Sequence, residues 1–142
     1  MSDAHLSRAI ALAVEAGEAG NRPFGAVLVG ADGTVLAEGR NEVASAGDVT
    51  AHAELVAIRG AATAENATMY ASGEPCPMCS AAMVWAGVTR IVFGASEPEF
   101  SKILDGGPRF SLRCAEVVGA ADVDITVEGP VDEADALKAF RS

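Results

Sequence analysis

The spacing His52-Ala-Glu54 followed by Pro75-Cys76-Pro-Met-Cys79 constrains this chain more than any other feature in it. One imidazole and two thiols form a soft donor set with a tetrahedral preference, of the kind that holds zinc. Three protein donors leave a fourth position open, as catalytic zinc sites do and structural ones do not. Glu54 follows the histidine by two residues, near enough to serve a water at that open position. For the donors to converge, the segments carrying them must lie side by side, and that requirement limits the fold before composition is considered.

Local signals place both halves of the motif at helix starts. Residues 54–59 read as a helix, with Asp48 and Thr50 available as N-terminal caps. His52 and Glu54 then fall in the first turn, where the helix end is partly positive. Residues 67–71 read as a strand, after which Pro75 and Pro77 suit an entry turn and a first helical position, and residues 80–86 continue as a helix. Cys76 and Cys79, three apart, share one face of that first turn. A helix N-terminus favours thiolate over thiol, so the arrangement points to metal-assisted hydrolysis. Two other readings use the same residues. A thiol oxidoreductase would use Cys76 and Cys79 as a redox pair, and a zinc-binding module without catalysis would have no use for Glu54.

Around this centre the pattern alternates strands with helices. Residues 3–20 carry Leu6, Ala9, Ile10, Ala13 and Val14 at helical spacing, with Ser2 or Asp3 as cap and His5 as an exposed polar residue. Strands over 24–29 and 34–38 flank Asp32-Gly33 as a hairpin, and Pro23 and Gly25 permit a close backbone approach at its start. Residues 42–49 read as a loop. Trp85 is either core or pocket wall. Residues 89–94 form a strand that a parallel arrangement would bury. Residues 95–109 are the least regular part, broken by Gly106-Gly107-Pro108, with Glu97, Glu99 and Asp105 as solvated acids. A helix is expected over 111–119 with Leu112, Ala115 and Val118 inward and Cys114 as a buried apolar residue, not a fourth ligand. A strictly alternating strand follows at 123–127, then a helix over 131–140 with Leu137 and Phe140 on one face. The sum is an α/β chain forming a single domain over residues 1–142. Its layers are α/β/α, with a central mixed sheet of about five strands, the last two parallel.

Charge and cysteine usage bear on partners. Twenty acidic residues face ten basic ones, a formal charge of −10, and no Lys/Arg cluster occurs. Nucleic-acid affinity rests on Lys and Arg meeting phosphates, so the balance favours a small substrate over RNA. Three cysteines are an odd count, two of them assigned to metal, which disfavours a disulfide scaffold and suits a reducing cytoplasm. No apolar run approaches a membrane span, the longest (81–88) containing Gly87, and no secretory signal is evident at the N-terminus.

The segments Asn21-Arg-Pro-Phe-Gly-Ala26, Gly39-Arg-Asn41, His52-Ala-Glu54 and Glu74-Pro-Cys-Pro-Met-Cys79 together resemble the cytidine-deaminase-like superfamily. The likeness is nearest the branch holding guanine deaminases, fungal-type cytosine deaminases and tRNA adenosine deaminases. It implies Zn2+ held by His52, Cys76 and Cys79, with Glu54 as the proton shuttle rather than a ligand. Substrate contacts would fall to Phe24, Asn41 and Ala53, and an acidic residue among Glu97, Glu99 and Asp105 would meet the substrate's amino group. It further implies a homodimer acting on a free nucleobase or close analogue, a guanine-type aminopurine or triazine ahead of cytosine.

Overall fold

Five strands order themselves as β2-β1-β3-β4-β5 in one mixed sheet, in the computed structural model that describes residues 3–141. The strands are β1 (Gly25–Val29), β2 (Val35–Arg40), β3 (Thr68–Gly73), β4 (Arg90–Ala95) and β5 (Thr126–Glu128). β1 runs antiparallel to both β2 and β3, while β3–β4 and β4–β5 are parallel. Seven helices accompany them: α1 (Ala4–Glu18), α2 (Val43–Ala46), α3 (Ala53–Gly60), α4 (Pro77–Ala86), α5 (Glu97–Phe100), α6 (Cys114–Gly119) and α7 (Glu133–Arg141).

The period-2 alternation of β1 divides the core between the sheet's two faces. Ala26 and Leu28 join Ala53 and Ala57 of α3, Met83 of α4 and Cys114 and Val118 of α6 in one cluster. Val27 and Val29 point the other way, against Leu6, Ala9 and Leu12 of α1. Helices thus cover both faces, and the expected three layers are present. The described N-terminal cap of α1 is Asp3, whose side chain accepts the His5 N–H at 2.9 Å; Ser2 lies outside the described residues.

Two glycines set how closely the helices sit. A Cβ at Gly25 would overlap the Ala9 carbonyl oxygen of α1, and one at Gly39 would overlap the Ala53 carbonyl oxygen of α3. The first explains the close approach expected at the start of β1. The second seats the opening turn of α3, and with it His52 and Glu54, directly on β2.

Several expectations need correction. Residues 42–49 are not all loop: α2 forms a single turn there and ends at Gly47 in the left-handed region, φ 65°. Its opening N–H groups are capped from a distance, Val43 by Asn41 Oδ1 and both Ala44 and Ser45 by Asn21 Oδ1. No local pattern announces such caps. Neither Asp48 nor Thr50 caps α3, whose N-cap is His52. Asp48 instead accepts both the N–H and the hydroxyl of Thr50. The irregular 95–109 stretch contains α5. The helix expected over 111–119 begins only at Cys114, because Glu116 reaches back to the Arg113 N–H at 2.8 Å. Leu112 and Ala115 are consequently exposed, not inward, while Cys114 is fully buried as expected. β5 is shorter and later than the 123–127 strand, leaving Val123 exposed. α7 begins at Glu133 and buries Ala136, Ala139 and Phe140. Trp85 is 88% exposed, so it is neither core nor pocket wall.

Candidate active site

The two motif halves arrive from parallel origins. β3 ends at Gly73, and residues 74–76 turn the chain into α4 with Cys76 as N-cap and Pro77 at its first position, where a missing N–H costs nothing. On the neighbouring helix, His52 occupies the equivalent N-cap position of α3. The Cys76 and Cys79 sulfurs each lie 3.5 Å from His52 Nδ1, and the three donor atoms fall within 4.8 Å of one another. A tetrahedral ion with bonds of about 2.0–2.3 Å would space such donors roughly 3.5 Å apart. The donor chemistry and the spacing therefore both fit zinc.

The contact with Cys79, reinforced by His52, lowers the Cys76 thiol to about 4, toward the thiolate that a metal needs. The same contact and burial push Cys79 upward. The bond to Cys76 also raises His52, against the opposing effect of burial. Glu54, 6% exposed, sits in the first turn of α3. Burial, with the nearby Cys76 charge, raises its carboxyl to about 7, a range suited to passing a proton in either direction near neutral pH.

His52, Glu54 and Cys76 open onto a cavity of about 510 Å³. Phe24 forms part of its wall, set edge-on to Phe100 and Phe140 with ring centroids 5.3 Å away in each case. The C-terminal helix thereby buttresses the pocket of its own chain. Gly73 lies under Phe24, where a Cβ would come within 2.9 Å of the ring. Asn41, 4% exposed, also lines the cavity. Its Oδ1 accepts the Val43 N–H at 3.1 Å, which fixes the amide's orientation and leaves its NH2 without a protein acceptor. Ala53 does not line the cavity: its methyl is fully buried in the core under α3. It can offer only the N–H of a first helical position, which has no intrahelical partner.

Of the three acids considered for substrate, only Glu97 reaches the cavity. Its carboxylate is already engaged, taking two hydrogen bonds of 2.9 Å from Arg109 and one from the Ser101 hydroxyl. Glu99 pairs with Lys102, and Asp105 is exposed. A further group was not anticipated from sequence. The buried Glu74 carboxylate receives Arg113 Nε on both oxygens at 2.9 Å and the Glu97 N–H at 2.9 Å. It ties the metal loop to α5 and to the start of α6. Glu74 stands inside the motif and was legible there; Arg109 and Arg113 carry no local signal.

One imidazole and two cysteine sulfurs, grouped beside a buried carboxylate, make a donor set that fits a zinc-type ion. The family described as "Cytidine and deoxycytidylate deaminase zinc-binding region" matches residues 1–95, and the chain belongs to that family. It is a deaminase of this family carrying its zinc-binding region. The "Probable cytosine deaminase" of Schizosaccharomyces pombe is 35% identical over 94% of this chain and 86% of its own length. The guanine deaminase of Bacillus subtilis is 44% identical over 66% of this chain and 64% of its own. A solved structure of a tRNA A34 deaminase superposes with a TM-score of 0.78 and 30% identity, covering 95% of this chain and 97% of that one. The thiol-oxidoreductase reading gains no support from these matches.

Proposed function

We propose that this chain is a zinc-dependent hydrolytic deaminase of a nucleobase or close analogue, a guanine-type aminopurine or triazine ahead of cytosine, formed as one domain over residues 1–142. The observation carrying this reading is His52 Nδ1 lying 3.5 Å from both sulfurs, with Glu54 buried beside them and Phe24 on the wall of the adjoining cavity. His52, Cys76 and Cys79 would hold the ion. When bound there, zinc supplies Lewis acidity and a nucleophile available at neutral pH.

The remaining chemistry falls to this chain's side chains. Glu54 takes a proton from the attacking water and delivers it to the ring nitrogen beside the amine-bearing carbon, making that carbon electrophilic. It then takes the proton of the newly added hydroxyl and gives it to the amine, whose C–N bond breaks to release ammonia while the carbon keeps an oxo group. Phe24 offers an aromatic surface to the planar ring, and the Asn41 NH2 offers a donor to a ring acceptor.

The test is ammonia release by zinc-loaded protein from guanine, isoguanine, cytosine, their nucleosides and a tRNA anticodon stem-loop. Glu54→Gln should keep its zinc and lose about 10²–10⁴ in rate. Wild-type turnover in that variant would remove Glu54 from its role. Turnover of the stem-loop alone would favour RNA editing, the reading that the tRNA A34 deaminase likeness supports; the charge of −10 speaks against it.

The homodimer also belongs to this reading. α4 is apolar on nearly every side; it packs against α3, α6 and, through Met83, the sheet, and leaves Trp85 outward. A helix apolar all round is ordinarily covered, and a second copy would cover it. Sedimentation should give a dimer that Trp85→Glu dissociates. Among the described residues no helix is long and apolar enough to cross a membrane, and a site built on reduced thiols suits the cytoplasm.

A further inference from the structure

Arg22 stands apart from the other basic residues of this chain. Of ten Lys and Arg residues, eight are in ion pairs with a carboxylate. Among the described residues only Arg22 and Arg141 have no such partner, although acids outnumber bases twenty to ten. Arg141 ends α7, whereas Arg22 lines the cavity. The two other arginines there are neutralised, Arg109 by Glu97 and Arg113 by Glu74. The unpaired charge at the cavity rim is therefore Arg22, whose single bond is from Nη1 to the Gly106 carbonyl at 3.2 Å. A guanidinium carries five N–H donors in a planar fork matched to carboxylate and phosphate, so most of that capacity faces no protein acceptor.

Its placement is fixed relative to the aromatic wall. Pro23 separates Arg22 from Phe24, and the Phe24 N–H donates to the Arg22 carbonyl at 2.9 Å, closing a tight turn. A ring held against Phe24 would present its far substituents toward Arg22. The cavity, about 510 Å³, is also larger than a bare heterocycle needs. Its rim carries Val49, Phe110 and Leu112, each about half exposed or more, and the charges beside them at Arg109, Arg113, Glu97 and Glu74 are paired with one another, which leaves Arg22 as the unneutralised one.

Resting on the deaminase reading, we propose that Arg22 is an oxyanion subsite: the substrate bears, on its ring or on a group attached to it, a carboxylate or phosphate that displaces the Gly106 carbonyl as acceptor of the guanidinium. The shared chemistry is a planar pair of anionic oxygens; which group supplies them is for the experiment to separate. Because Arg22 is exposed, the attraction is screened by salt.

The test is calorimetric binding to zinc-loaded protein of matched pairs, cytosine against 5-carboxycytosine and guanosine against guanosine 5′-monophosphate, with ammonia release followed in parallel. The wild type should bind the anionic member of at least one pair about tenfold more tightly, with the advantage shrinking in 0.5 M salt (roughly a 4 Å screening length). In Arg22→Gln the anionic-to-neutral ratio should fall to near one, and Arg22→Lys should keep part of it. Arg40→Gln, at a guanidinium that does not line the cavity, should keep the ratio. A preference only for the carboxylate, or only for the phosphate, names the group. The proposal is overturned if no anionic member is preferred or bound, if the ratio survives in Arg22→Gln, or if Arg40→Gln abolishes it equally. Arg22-dependent binding without ammonia from any compound would leave the subsite standing and remove the deaminase reading, so the two fail separately.

Discussion

The metal-motif half of the site and the rim over residues 97–113 are built by opposite means. The first is covalently short-range. His52 and Cys76 each occupy an N-cap, Pro77 sets the first helical turn, and Cys79 follows within that turn. Cys79 and Glu54 are buried, His52 and Cys76 half-buried, and Gly39 locks α3 against the sheet. The rim is assembled by side chains reaching across the sequence: Arg113 to Glu74 over 39 residues, Arg109 to Glu97 over 12 and Arg22 to Gly106 over 84. Chemistry is thus placed on rigid element ends, whereas the surface that meets the rest of a substrate hangs on ionic struts. Binding preference can drift by exchanging struts without disturbing the reacting groups.

Substitutions should expose this division. The largest effect is expected from Cys79→Ala, which removes a fully buried donor from the three. Zinc measured by mass spectrometry should fall from one equivalent to none, and ammonia release to background. Retained stoichiometric zinc would show that the ion sits elsewhere. Next comes Gly39→Ala, where the added Cβ meets the Ala53 carbonyl and must push α3 off β2. Overpacking of this kind costs about 1–3 kcal/mol. Because the displaced turn carries His52 and Glu54, kcat should fall more than KM rises. Glu74→Ala lies between the two regions. It strips Arg113 and the Glu97 N–H of a buried partner, a loss of about 1–3 kcal/mol in urea denaturation. It should raise KM while zinc content stays at one equivalent; loss of zinc instead would make Glu74 part of the metal region.

The same division decides how much was readable from sequence. The grouping of His52, Cys76 and Cys79 could be read because their spacing is local, and the mixed five-stranded sheet followed from the alternation of apolar strands and helices. Residues 111–113 were misread as helix because their apolar spacing is helical. The Glu116 bond to the Arg113 N–H, and the Arg113 pull on Glu74, override that spacing. α2 escaped notice because Asn21, more than twenty residues upstream, supplies its caps. Trp85 was misplaced because an apolar helix implies a covering surface, and within one chain nothing covers it. Asn41 could be read as a polar contact, yet which of its ends is free depends on Val43, and hence on a helix that was not foreseen.

The smallest effect should come from the rim's most exposed strut. Arg109→Ala removes the two bonds to Glu97. Pairs of this exposure contribute little to stability, so the melting temperature at pH 7 should barely move. The informative quantity is its pH dependence. Hydrogen bonding from Arg109 lowers the Glu97 carboxyl below its ordinary value of 4.5. A depressed folded-state value means that the contribution is present above the ordinary carboxylate range and is lost as pH falls through the folded value. The difference between wild type and Arg109→Ala should therefore hold from pH 7 down to about 5 and close below it. In Glu97→Gln, where nothing titrates at this position, adding Arg109→Ala should produce no such acid-side convergence. If the difference instead widened as pH fell, Arg109 would be stabilised by a partner other than Glu97, and the rim would not be the set of separable struts described above.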